Sequence, residues 1–212
     1  MGNVSRKERE KRMRSRHIMD AAREVFAAKG FNGATMEEIA EKAEYSPAAL
    51  YSYFRNKYEL YTSLHIDLLE RLVKGVENLV ERKDLDPIQK IRATADILFD
   101  IYLEDPVAME NMCRAQGAEG LREMSSKMVG KLNELSARAL QTAALIIDQG
   151  IKQGLVEPSY NPVALADALW AQFTGLVLWE ESKKYWDQRK DFFKPTLEMS
   201  FDIFVKGIMR RK

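Results

Sequence analysis

Two helix-start signals crowd one short stretch of this chain, and a tight helical corner is the arrangement that accommodates both. Thr35-Met36-Glu37-Glu38 is a capping box, a threonine at the N-cap with a glutamate three residues on, so that each side chain satisfies a backbone N–H of the other. Ser46-Pro47 is the second start, a hydroxyl cap followed by a proline where the missing N–H costs nothing. Between them Met36, Ile39, Ala40 and Ala43 recur at helical spacing, and only Glu44, Tyr45 and Ser46 remain to turn the chain. The spacing predicts short helices over 35–43 and 47–54 joined by a turn, the pattern of a helix-turn-helix.

The flanks supply what such a corner needs. From Ser15 the apolar positions Ile18, Ala21, Ala22, Val25 and Phe26 form one helical face, stopped at Lys29-Gly30. Ile39, Ala40, Leu50 and Phe54 offer that face a partner. A three-helix unit of this size is marginal alone; fusion to a long amphipathic helix starting at Asn56, with Leu60, Leu64, Leu68, Leu72, Val76 and Leu79 along it, supports it. Further starts follow at Asp86-Pro87, Asp105-Pro106, about Leu121, Asn161-Pro162 and about Asp191. The fold expected is all-α with about nine helices and no repeat: a basic disordered arm (1–14), a three-helix helix-turn-helix domain (15–56) and a helical C-terminal domain (57–212).

Charge and rare residues narrow the function. The net charge of +1 hides an asymmetry, since residues 1–16 carry seven basic side chains against two acidic ones. That split suits contact with nucleic acid or a membrane surface, or a merely solvated leader. With 46% hydrophobic and 31% charged residues the chain has ample core material. No unbroken apolar run reaches the roughly 18 residues of a membrane span, and no apolar stretch marks the N-terminal region, so a cytoplasmic location is expected. The lone Cys113 forms no intrachain disulfide, and with only His17 and His65 a structural zinc site is not expected. No Ser-His-Asp set, Gly-rich phosphate loop or H-E-x-x-H pattern occurs, so neither an enzyme nor a cofactor is expected.

The second short helix reads as one that meets DNA. Pro47, Ala48 and Ala49 are small enough for close approach to a duplex, and alanine methyls suit thymine methyls in the major groove. Tyr51 and Tyr53 place hydroxyls where phosphates run, and Thr35, Ser46 and Lys57 add polar groups at helix N-termini, where anions are favoured. The competing reading is a packing corner with surface tyrosines.

Residues 35–60, from Thr35-Met36-Glu37-Glu38-Ile39-Ala40 through Leu50-Tyr51-Ser52-Tyr53-Phe54 to Lys57-Tyr58-Glu59-Leu60, resemble the signature of the TetR family. The matches are Thr35, Ile39, Ala40, Ala43, Ser46, Leu50, Tyr51, Tyr53, Phe54, Lys57 and Leu60, and residues 21–31 are similar to the family's first helix. Three positions depart: Glu44 stands where a turn glycine is usual, Tyr45 for a small aliphatic residue, Ala48 for a glycine. A side chain at 44 is strained if the turn needs positive φ. The resemblance implies that Tyr51, Tyr53 and Lys57 contact phosphates, that Thr35 caps near the backbone, and that Pro47, Ala48, Ala49 and Ser52 face base edges. It implies also that the basic leader follows the DNA, as the arms of some members do.

The C-terminal body carries two helices too apolar for a single buried face. One holds Leu165, Leu169, Trp170, Phe173, Leu176, Val177 and Trp179; the last holds Leu197, Phe201, Phe204 and Ile208 with Met199, Ile203 and Val205 beside them. Either both lie at the centre of a core or one face meets a second subunit. The resemblance implies a homodimer through these helices, with Leu176, Trp179, Leu197, Phe201 and Phe204 as candidates. Phe99, Tyr102, Met109, Met112, Leu145, Trp170 and Phe173 are candidates to line a pocket for a small hydrophobic or amphipathic effector, methionines suiting adaptable apolar sites, although such spacing also describes plain core. The function expected is a sequence-specific regulator, a repressor released from a palindromic DNA operator by that effector. The alternative is a helical protein-interaction module without specific DNA binding.

Overall fold

The computed structural model describes residues 6–106, 109, 125–183 and 192–210. Among the described residues there are eight helices: α1 (Arg6–Gly33), α2 (Met36–Lys42), α3 (Pro47–Tyr51), α4 (Lys57–Glu81), α5 (Pro87–Glu104), α6 (Ser126–Lys152), α7 (Pro162–Lys183) and α8 (Phe193–Ile208). Most of the helix expected after Pro106, with Met112 and Cys113, lies outside the described residues.

Start signals legible in the sequence hold their helices as expected. Thr35 Oγ1 accepts from the Glu38 N–H at 3.2 Å while Glu38 accepts from the Thr35 N–H at 3.1 Å. Asp86 and Gln89 form the same reciprocal box at the head of α5. Ser46, Asn56 and Asn161 each accept from backbone N–H groups of the turn they open, and Ser125, not singled out in the sequence, does the same where the helix expected from about Leu121 is described from Ser126. Each cap satisfies a donor the helix cannot, worth about 1 kcal/mol.

α1 differs from expectation. Residues 6–14, anticipated as a disordered arm, continue the helix without interruption. No glycine or proline occurs between Arg6 and Lys29, Glu8 sits in the first turn, and Arg6 pairs with Glu10 one turn on at 2.9 Å. Gly30 does break the helical geometry, at φ 69° and ψ 170°.

The buried side chains fall into two clusters that share α4. Ile18, Ala22, Phe26, Ile39, Ala40, Leu50, Phe54, Leu60 and Leu64 form the first, closing α1, α2 and α3 on the start of α4. From Leu68 onward α4 belongs to the second, packing with α5, α6, α7 and α8 through Ile91, Leu98, Ile147, Phe173, Phe201 and Val205. Each fully buried Ile, Leu or Phe contributes roughly 1.5–3 kcal/mol relative to exposure. α7 is long and apolar enough to cross a membrane by length and composition alone. Ala166, Leu169, Phe173 and Val177 on its inner face pack into this cluster.

Candidate nucleic-acid interface and interior cavity

The turn between α2 and α3 is a helix C-cap with a side chain at its tightest point. Glu44 has φ 58°, the one positive value among described non-glycine residues. The Tyr45 N–H reaches back to the Ala40 carbonyl at 2.8 Å, closing the six-residue loop that a left-handed residue permits. The departure from glycine at 44 thus falls where a Cβ is least welcome.

α3 leaves this turn with Leu50 buried and the residues around it outward. Ser46, Pro47, Ala48, Tyr51 and Ser52 are exposed, and Ala49 and Tyr53 half-buried. Leu50 anchors the helix, so its opposite face has to point away from the molecule. The predicted base-facing positions Pro47, Ala48, Ala49 and Ser52 are therefore grouped together. The Ser52 hydroxyl donates to the Ala49 carbonyl at 2.6 Å and keeps its lone pairs for an incoming donor.

Three of the predicted polar contacts have structural duties as well. Thr35 and Ser46 hold their helices as caps, as described. Lys57, half-buried, donates from Nζ to the Ala34 carbonyl at 2.7 Å and lies 4.7 Å over the Phe31 ring. It ties the first turn of α4 to the loop before α2, and two of its three N–H bonds lie outside that bond. Residues that sequence reasoning missed are His17, whose ring lies 6.1 Å from that of Tyr45, and Arg14, whose pKa is raised above the ordinary value by the influence of Tyr53 beside it. Reading residues 1–14 as unstructured hid the second.

The body holds an apolar cavity of about 70 Å³. Leu72 and Val76 of α4, Ile91 and Leu98 of α5, Ala143 and Ile147 of α6, and Leu169 and Trp170 of α7 form its walls, with the hydroxyls of Thr94 and Ser136 as polar points. None of the lining side chains is charged. Of the residues expected to line a pocket, Trp170 does. Phe99, Tyr102 and Phe173 instead gather around Phe193, with Tyr102 at 4.2 Å between ring centroids. Met109 is buried in the core, and Met112 lies outside the described residues. Leu145 is 45% exposed, because Ala143, Ile146 and Ile147 take the inward face of α6.

The candidates for a subunit face divide the same way. Trp179 is 62% exposed and Leu176 and Phe204 half-buried, whereas Leu197 and Phe201 are buried inside the chain's own core. α8 has two apolar faces, and composition alone does not say which turns inward. Met199 and Ile203, 63% and 64% exposed, occupy the outward one.

Comparison with known proteins places this arrangement. The sequence pattern of the family described as "Bacterial regulatory proteins, tetR family" matches residues 18–64. The chain is 36% identical over 88 residues to the HTH-type transcriptional activator FasR of Mycolicibacterium smegmatis, an alignment covering 42% of this chain and 40% of FasR. It is 31% identical over 131 residues to the HTH-type transcriptional repressor NicS of Pseudomonas putida, covering 56% of this chain and 59% of NicS. The chain thus spans between two fifths and three fifths of these two curated relatives. The transcriptional regulator FadR from Bacillus subtilis, solved in complex with stearoyl-CoA, shares the fold with a TM-score of 0.71 at 21% identity, over 91% of this chain and 98% of that one. The capped corner at 35–54 and the all-helical body agree with these matches: residues 18–64 carry the pattern of the tetR family of bacterial regulatory proteins, and most of the chain shares its fold with a regulator of that kind.

Proposed function

We propose that this chain is a DNA-binding transcriptional regulator whose reader, residues 15–56, inserts α3 into the major groove, and whose body, residues 57–212, dimerises and holds a hydrophobic effector. The observation that carries the reading is α3 itself: a short helix anchored by Leu50 that presents Pro47, Ala48, Tyr51 and Ser52 outward from a capped turn. Small residues there let the backbone approach base edges, and the flanking Tyr51, Tyr53 and Lys57 supply phosphate donors. Relatives named as an activator and as a repressor of transcription support the regulatory role.

Two further features support the body's share. Exposed Trp179, Met199 and Ile203 with half-buried Leu176 and Phe204 give α7 and α8 an outward apolar face that a second copy would cover, and a dimer reads two half-sites of a palindrome. The uncharged cavity favours the apolar part of an effector, and FadR with its bound stearoyl-CoA is a relative in fold that takes an acyl chain. We infer that the effector parts α4 from α5 and releases the operator, which makes repression the expected sign.

Selection of bound duplexes from a random pool tests this. A palindromic consensus is expected; binding without sequence preference at physiological salt overturns the reading in favour of a helical interaction module.

A further inference from the structure

Of the two hydroxyls that line the cavity, Ser136 is exposed and meets water, whereas Thr94 is half-buried and its proton is already committed. Thr94 Oγ1 donates to the Lys90 carbonyl, one turn back on α5, at 3.0 Å. A carbonyl only accepts, so the direction of this bond is fixed, and the oxygen has its lone pairs left for a neighbour. Threonines inside helices often bond back in this way, and Thr62 and Thr142 do so in this chain. Thr94 differs in where it stands, on the face of α5 that also brings Ile91 and Leu98 to the cavity. The other walls are aliphatic and aromatic, without a charged side chain among them.

We propose that the effector is a neutral apolar molecule carrying a hydroxyl group, and that Thr94 selects it by accepting a hydrogen bond from that hydroxyl. The inference rests on the reading above, since it takes the cavity as the effector site. An ether, ester or ketone oxygen brought to Thr94 sets lone pair against lone pair, and a buried acceptor without a donor is unfavourable. A carboxylate or an ammonium meets no countercharge on these walls, and an ion gives up far more hydration than a hydroxyl does. A hydroxyl supplies the missing donor and brings no charge. Size adds a second condition. The cavity, at about 70 Å³, has roughly half the volume of an engineered apolar cavity that takes benzene, so a larger occupant has to move the walls apart. Lys90, whose carbonyl holds Thr94, also ties the last turn of α4 through its Nζ and the Val80 carbonyl at 2.8 Å. A ligand held at Thr94 is thus anchored to the residue that joins α5 to α4.

The test uses the full chain and four eight-carbon probes: 1-octanol, its isomer heptyl methyl ether, octanoate and octylammonium. Calorimetry follows their binding, and fluorescence anisotropy follows affinity for the selected duplex. 1-Octanol is expected to bind about fivefold more tightly than the ether, as one neutral hydrogen bond gives. It should bind on the order of a hundredfold more tightly than either ion near pH 7. Thr94→Val keeps the shape and removes the oxygen. It should bring octanol down to the ether and leave the ether's own affinity unchanged, a split that a general loosening of the fold does not produce. Thr94→Ser should restore the preference. Equal affinity for octanol and ether, a preference that survives Thr94→Val, or tighter binding of either ion overturns the proposal. Binding with the expected preference but no change in operator affinity removes the effector role and keeps the ligand class. Release of the operator by octanol and ether alike does the reverse, and no binding of any of the four probes removes both.

Discussion

Arg23 of α1 donates to the Asp67 carboxylate of α4 at 2.7 Å, and its Nε lies 3.5 Å from Asp105, the residue that ends α5. One side chain of the reader thereby bridges the two helices that wall the cavity, each just beyond it: Leu69 is two residues from Asp67, and Leu98 about two turns before Asp105. Arg71, paired with Asp67 and Glu104, ties the same two helices within the body. Arg23→Met is expected to cost about 1–2 kcal/mol, the worth of a charged hydrogen bond in a partly exposed pair. It should also blunt the change in DNA affinity produced by an effector. Thermal unfolding and a binding titration with and without stearoyl-CoA measure the two effects; an unchanged response would remove Arg23 from the coupling.

Glu44 sits at φ 58°, and glycine reaches that region freely. Glu44→Gly should raise stability by about 1 kcal/mol, the left-handed penalty removed less the extra entropy of an unfolded glycine. A midpoint in urea that stays put or falls would show that the glutamate side chain has a compensating role.

His65 is buried where the two cores meet on α4, its Nε2 without a hydrogen-bond partner, and burial pulls its pKa down to about 4. The folded state therefore holds a neutral ring while the unfolded chain takes up a proton below about pH 6.5. Stability is retained above that pH and drains away as pH falls toward 4, by up to about 1.4 kcal/mol per unit. In His65→Leu this part of the pH dependence should vanish. Equal slopes in both proteins between pH 6.5 and 4.5 would contradict it.

Lys57 holds the Ala34 carbonyl, and in the proposed reading it also meets a phosphate. Lys57→Ala should lower the salt slope of DNA binding and the melting temperature together. A changed slope with no thermal effect would mean that the bond to Ala34 contributes nothing.

The cavity offers a cleaner separation of the two activities. Ala143→Leu places a larger side chain into it from α6. Effector response should be lost and operator affinity kept within about twofold, with stability changed by less than about 1.5 kcal/mol where the added atoms fit the space. Loss of DNA binding in an otherwise folded variant would argue against a cavity specific to the effector.

Local signals carried most of the fold, because the caps at Thr35, Ser46, Asn56, Asp86 and Asn161 act within a few residues of themselves. Which face of a helix turns inward is settled by neighbours distant in sequence. Leu197, Phe201, Met199 and Ile203 all suit either side of α8, and only the packing of α5 and α7 selects the first pair for the core. Leu145 and Trp170 were indistinguishable in the same way. Composition also misled at residues 6–14, where a charge run that repels itself in isolation is held helical by Arg6–Glu10 and by continuity with the buried face at Ile18. The reader was the most legible part because its signals are dense and its positions match a family signature.

The two cores are unequal in kind. Of the eleven hydrophobic residues of the reader buried in the first cluster, five are alanines (Ala21, Ala22, Ala34, Ala40 and Ala43), whereas the body is built mainly on leucine, isoleucine, valine and phenylalanine. Alanine contributes little burial per residue, so the reader has less to lose by opening than the body does. Amide hydrogens of α2 and α3 should exchange through local openings long before those of α6 and α7, and a duplex bound at α3 should slow them selectively.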